Sequence, residues 1–128
     1  MILLLDTRDS VCRLTLMDGD KTHDSKWQSD KNLANGLLKY LQTRLAEHNW
    51  TWQDIEAIGA FEGPGSFTSL RIGLTVTNTL ANALAVPVVG ARGEDWQDEA
   101  IAKIRKGESD KVVMPFYGHD ANITKPRK

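Results

Sequence analysis

Short alternating runs of apolar and polar residues open the chain, and longer four-residue repeats follow them. Ile2 to Asp6 is apolar and runs into the turn cluster Asp6-Thr7-Arg8-Asp9-Ser10, which predicts a buried strand and its exit loop. Val11 to Met17 alternates, with Cys12, Leu14 and Leu16 on one side, and predicts a half-buried strand. Asp18-Gly19 marks a tight hairpin, because both positions tolerate positive φ. Lys21 to Trp27 is then a third strand, polar and near an edge. Leu33, Leu37, Leu41 and Leu45 place one apolar stripe on a helix that Asp30 can cap and that ends near His48-Asn49. Gly36 inside it costs about 1 kcal/mol relative to alanine and marks close approach by another backbone. Thr51 caps a short turn over Trp52 to Asp54. Ile55 to Phe61 predicts a fourth strand, Glu62-Gly63-Pro64-Gly65 a turn, Ser66 an N-cap and Phe67 to Leu84 a long helix. Pro87 to Gly90 is a short strand, Asp95 to Lys106 a charged amphipathic helix that Gly107 stops, and Val112 to Tyr117 a last strand. The order gives an α/β fold, a mixed sheet of about five strands with helices in a single lobe over 1–120, and a basic flexible tail over 121–128. The strands on either side of the Phe67–Leu84 helix are parallel through a right-handed crossover.

That second helix holds no acidic residue and one basic one, Arg71. Ser69, Gly73, Thr77 and Ala81 form a ridge of small side chains. Leu70, Leu74 and Leu84 form one apolar side, and Ile72, Val76, Leu80 and Ala83 another. A helix apolar on two sides is covered on two sides. One cover is the sheet, and a chain of 128 residues has little else to offer. The pattern predicts a partner interface formed by Leu33, Gly36, Leu37, Tyr40, Leu41, Ser69, Arg71, Ile72, Gly73, Val76, Thr77 and Leu80, the alternative being that the third helix or the tail covers that face.

Composition narrows the classes. A net charge of −1 argues against a surface that grips nucleic acid throughout. A single cysteine, Cys12, excludes an internal disulfide and fits a reducing compartment, with the thiol in the core. Met1 to Leu5 is too short for a signal-peptide core or a membrane span, so a cytoplasmic protein is expected. His23, His48 and His119 are scattered, and no metal site is expected. Lys125, Arg127 and Lys128 read as a solubilising tail or as contacts to nucleic-acid phosphates. Gly63, Gly65 and Ser66 have two readings: an anion cradle at a helix start, or a tight turn that seats the helix. The turn lacks the lysine and spacing of a Walker A loop. Asp6 ends the first strand as a turn former.

The stretch Gly63-Pro64-Gly65-Ser66-Phe67-Thr68, then Ser69 and Leu70-Arg71-Ile72-Gly73, resembles the bacterial TsaB (YeaZ) family. Leu4-Leu5-Asp6-Thr7 is similar to that family's opening strand. Thr51 to Ile55 and Met114-Pro115-Phe116-Tyr117 match it more loosely. The resemblance implies an actin-like, ribonuclease-H-like ATPase lobe that is itself inactive. It also implies a second reading of Asp6, as the carboxylate that handles Mg²⁺ at this place in an actin-like fold. It implies pairing with a TsaD-like catalytic subunit through a helical bundle, with a TsaE-like ATPase joining the pair. The assembly would place a threonylcarbamoyl group on a tRNA adenosine beside the anticodon, and tRNA would be met only through the complex. No cofactor is expected on this chain alone, and ATP is placed at the interface of the assembly. Ser69 stands where the family usually has glycine. The chain reads as a first lobe followed directly by the family's final segment, a shortened form without most of a second lobe. A homodimer without a partner enzyme and a small nucleotide-binding phosphotransfer enzyme remain the competing readings.

Overall fold

Alternation in the first three runs produces a meander. The computed structural model describes residues 1–116. In it β1 (Ile2–Asp6), β2 (Val11–Asp18) and β3 (Lys21–Gln28) pair antiparallel, and the β2–β3 turn is Gly19-Asp20, one residue later than Asp18-Gly19, because Asp18 still pairs with Lys21 and only Gly19 takes positive φ. β4 (Ala57–Gly63) and β5 (Val88–Arg92) add in parallel, giving the order β3-β2-β1-β4-β5. The helices are α1 (Leu33–Glu47), α2 (Phe67–Leu84) and α3 (Trp96–Arg105). Two of them have the predicted punctuation or stripe. Ser66 Oγ accepts the Ser69 N–H at the start of α2, and the four leucines of α1 are all buried.

Alternation also sorts the sheet into two faces. Leu3, Leu5, Cys12, Leu14, Leu16, Ile58 and Ala60 lie in one core with the stripe of α1 and with Leu74 and Ala81 of α2. Leu4, Phe61, Val89 and Ala91 lie in the other with Trp96 and Ala100 of α3. So α1 and α2 share one side and α3 takes the opposite one.

Three local expectations are corrected. Asp30 does not cap α1: it sits in a 3-10 turn at φ 48°, its carboxylate taken by the Gln28 side chain at 2.7 Å, and Asn32 holds the cap position. β4 starts at Ala57 rather than Ile55. Ile55 is buried directly behind a turn closed by the Thr51–Asp54 capping box, and pairing with β1 begins one step past Glu56. No strand forms over residues 112–116, because the Val113 backbone is held by a side chain instead of a neighbouring strand. Tyr117, His119 and the tail over 121–128 lie outside the described residues.

The free edge of β5 is closed. Val88 and Gly90 point their backbone groups away from β4. Asp110 donates its N–H to the Val88 carbonyl at 2.7 Å and accepts the Gly90 N–H on Oδ2 at 2.9 Å. Lys103 Nζ donates to the Gly90 carbonyl at 2.7 Å, and Ser109 Oγ accepts the Val88 N–H at 3.4 Å. β3 is the other edge, a strand rich in charge.

Cys12 is fully buried, and its pKa is pushed up to about 12, first by burial and then by the Asp6 charge, against a smaller opposing effect of Arg13. In the unfolded chain the thiol ionises near its ordinary value of 9.0, while in the native state it stays neutral until about 12. Stability from this group is therefore complete below pH 9 and declines as pH rises toward 12. The slope approaches about 1.4 kcal/mol per pH unit. Urea midpoints taken from pH 8 to pH 11 should fall, and fall less in Cys12→Ala. Equal slopes in both proteins would refute this account.

Candidate functional site

With the stripes of α1 and α2 turned to the sheet, a different set of residues faces outward. A groove of about 390 Å³ between the helices is lined by Ala34, Phe67, Thr68, Arg71, Ile72, Thr75 and Val76. A second, of about 750 Å³, includes Leu38, Lys39, Trp52, Leu80 and Leu84. A third, of about 450 Å³, lies on the other flank of α2 between Phe67, Thr75 and Asn78 and the segment 112–115. Among the described residues the exposed large hydrophobics are Leu38 (51%), Phe67 (55%), Val112 (55%) and Met114 (66%). Every one of them lines one of these three grooves. Exposed apolar side chains scattered singly need no explanation, whereas a contiguous set marks a surface that meets something. Arg71 and Lys39 are the charged residues lining the grooves, so the face is apolar with a weak positive edge.

The predicted interface is redistributed by this geometry. Leu33, Leu37, Leu41 and Thr77 are buried at 3% exposure or less, and Gly73 is buried against Thr7. They pack inside the lobe and offer no surface, because the most apolar stripe of each helix belongs to the sheet. Gly36 is approached closely, but by the Trp27 indole of β3, which an added Cβ would meet at 2.8 Å. Tyr40 stacks on that same indole with ring centroids 5.2 Å apart, and its hydroxyl lies 2.6 Å from Ser25 Oγ. Arg71 is exposed, Ile72, Val76 and Leu80 are half-buried and line the grooves, and Ser69 is half-buried. Leu38, Phe67, Thr75, Val112 and Met114 escaped the sequence reading. The available signal was their position beside, rather than on, the periodic stripes. His23 and His48, scattered in sequence, meet with ring centroids 4.1 Å apart and planes tilted by 36°.

The third groove is built by an amide. Asn78 of α2 donates from Nδ2 to the Val113 carbonyl at 3.1 Å and accepts the Val113 N–H on Oδ1 at 2.9 Å. This two-bond clamp lays the segment 112–116 along the helix. Phe116 then donates its N–H to the Glu62 carbonyl at 2.6 Å, under an Arg92 side chain that pairs with Glu62 and lies 3.9 Å from the Phe116 ring centre. Gly63, at φ 138°, has Phe116 against the place a Cβ would occupy.

The glycine turn sits at the exit of β1. Asp6 is 3% exposed, and its carboxylate is held by Arg8 through Nε at 2.9 Å and 3.2 Å, Nη2 at 2.8 Å and the backbone N–H at 3.0 Å. The Arg8 guanidinium lies 3.9 Å from the Phe61 ring centre. The Ser66 N–H donates to the Arg8 carbonyl at 2.7 Å, and a Cβ on Gly65 would meet Arg8 at 2.8 Å. Among the described residues no three His, Cys, Asp or Glu side chains converge, and no helix is long and apolar enough to cross a membrane. Arg8 engages the Asp6 carboxylate with its side chain and backs the Gly65-Ser66 turn with its main chain.

Sequence comparison agrees with this architecture. The family model described as TsaD, tRNA N6-adenosine threonylcarbamoyltransferase, matches residues 28–92. The tRNA threonylcarbamoyladenosine biosynthesis protein TsaB of Buchnera aphidicola (subsp. Baizongia pistaciae) is 30% identical over 110 residues, covering 80% of this chain and 50% of that protein. The protein of the same name from Haemophilus influenzae is 29% identical over 109 residues, covering 84% and 46%. The solved structure of YeaZ from Pseudomonas aeruginosa superposes with a TM-score of 0.66 at 30% identity, over 71% of this chain and 43% of that one. The chain spans about half the length of the curated relatives it matches. Its sheet order and helix placement are those of the actin-like, ribonuclease-H-like lobe. By the matched sequence and by the shared fold, the chain, which is similar to TsaB (YeaZ) proteins over about half of their length, belongs to the family that the tRNA N6-adenosine threonylcarbamoyltransferase model describes.

Proposed function

We propose that this chain is a non-catalytic docking subunit in tRNA threonylcarbamoyladenosine biosynthesis, and that it presents the outer face of α1 and α2 to a TsaD-like catalytic subunit. One observation carries the reading: all the exposed large hydrophobics among the described residues line the grooves along that face. The names of the relatives support the pathway, and the likeness of this chain to the TsaD model supports a partner that carries the same kind of lobe. A second pair of helices laid across α1 and α2 completes a helical bundle, and the apolar grooves receive its side chains. A TsaE-like ATPase joins the pair, tRNA is met through the assembly, and ATP is bound by the assembly rather than by this chain alone.

Light scattering on this chain, alone and mixed in equal amounts with a TsaD-like subunit, tests the reading. A one-to-one heterodimer that forms on mixing is the expected result. A homodimer that persists unchanged in the mixture would sink the proposal and favour self-association through the same face.

A further inference from the structure

We infer that Arg8 is a built-in cation that takes the metal's position at Asp6 and closes the Gly63–Ser66 turn, so that this lobe accepts neither Mg²⁺ nor nucleotide phosphate at that end of its sheet. The inference stands apart from the docking proposal, since it concerns the opposite use of the fold.

Two groups at this end of an actin-like lobe suit nucleotide chemistry: a strand-end carboxylate for a hydrated metal and the free amides of a helix start for phosphate. Both are answered here by one residue. The Arg8 guanidinium converges on Asp6 Oδ2 through Nη2 at 2.8 Å and Nε at 2.9 Å, and Oδ1 accepts the Arg8 backbone N–H at 3.0 Å and a longer contact from Nε at 3.2 Å, so Arg8 engages both carboxylate oxygens with charge-assisted hydrogen bonds. Its other face rests on the Phe61 ring, which fixes it in place. Mg²⁺ keeps several of its waters in protein sites, and a carboxylate 3% exposed beneath a guanidinium has no room for them. The backbone of Arg8 does the rest. Its carbonyl takes the Ser66 N–H, and its main chain packs on Gly65. The Ser69 and Leu70 N–H groups are taken by Ser66 itself, through Oγ and the carbonyl. The Ser66, Ser69 and Leu70 amides at this turn are thus bonded within the chain, and the positive charge beside them is paired with Asp6.

The test uses Mn²⁺ as a paramagnetic probe on the full chain labelled with ¹⁵N. The wild type should show no selective broadening of the Asp6 and Thr7 amides, and calorimetry with Mg²⁺ and ATP at millimolar concentration should show no binding heat. Arg8→Ala should broaden those amides selectively and bind Mn²⁺ at least about tenfold more tightly than the wild type, because it leaves a buried carboxylate without a counter-charge. Adding Asp6→Asn should abolish the gain. Arg8→Gln keeps the side-chain length without the charge and reads the same gain if Arg8→Ala does not fold. Selective Mn²⁺ broadening in the wild type that Asp6→Asn removes would overturn the inference. So would a folded Arg8→Ala or Arg8→Gln protein with no gain.

Discussion

Gly73→Ala should lower the stability of the chain by about 2 kcal/mol, seen as a lower urea midpoint at unchanged slope. The added Cβ would stand 2.8 Å from the Cβ of Thr7. Thr7 is 3% exposed and follows the last residue of β1, so it cannot rotate or step aside without moving the strand end that carries Asp6. Overpacking of this kind costs about 1–3 kcal/mol, and the attachment of both atoms to backbone puts it at the upper end. Alanine returns about 1 kcal/mol of helix propensity, which leaves the net loss stated. A larger side chain has nowhere to go, and Gly73→Arg is expected to unfold the lobe instead of selectively blocking a partner. A midpoint for Gly73→Ala equal to the wild type would show slack between α2 and β1 and refute the packing argument.

Thr75→Arg should weaken docking of a TsaD-like subunit about a hundredfold, or about 2.7 kcal/mol, with monomer stability changed by less than about 0.5 kcal/mol. Thr75 is exposed and lines two of the three grooves. Its replacement puts a long charged side chain into an apolar contact and next to Arg71, a like charge on the same helix. Nothing in the core is touched. Calorimetric titration gives the affinity, and urea denaturation of the monomer is the control. An unchanged affinity would place the partner on another surface.

Much of the scaffold could be read before any coordinates existed, because its causes are local. A serine cap set the start of α2, and alternation with a glycine turn, one residue later than expected at Gly19-Asp20, set the meander. The errors have local causes too. Ile55 looks like a strand residue because it is apolar, yet it follows a capped turn and pairs with nothing. The interface was harder. Periodicity says which side of a helix is apolar, and it cannot say whether a sheet or another molecule lies on that side. The ridge Ser69-Gly73-Thr77-Ala81 illustrates this: its small residues admit Thr7 of the same chain. The Asp6–Arg8 pair and the Asn78 clamp leave no periodic trace, since each depends on where a loop or a distant segment comes to rest.

The closed edge of β5 has a consequence for how copies of this chain can associate. Fibres of stacked sheets need two open edges per molecule, one to give and one to receive. With Val88 and Gly90 already bonded to Ser109, Asp110 and Lys103, only β3 among the described strands remains to recruit another strand. Two β3 strands can meet antiparallel across a two-fold axis, and that union uses up both open edges. Strand pairing therefore ends at a pair of molecules, and growth into a polymer has no second end from which to continue.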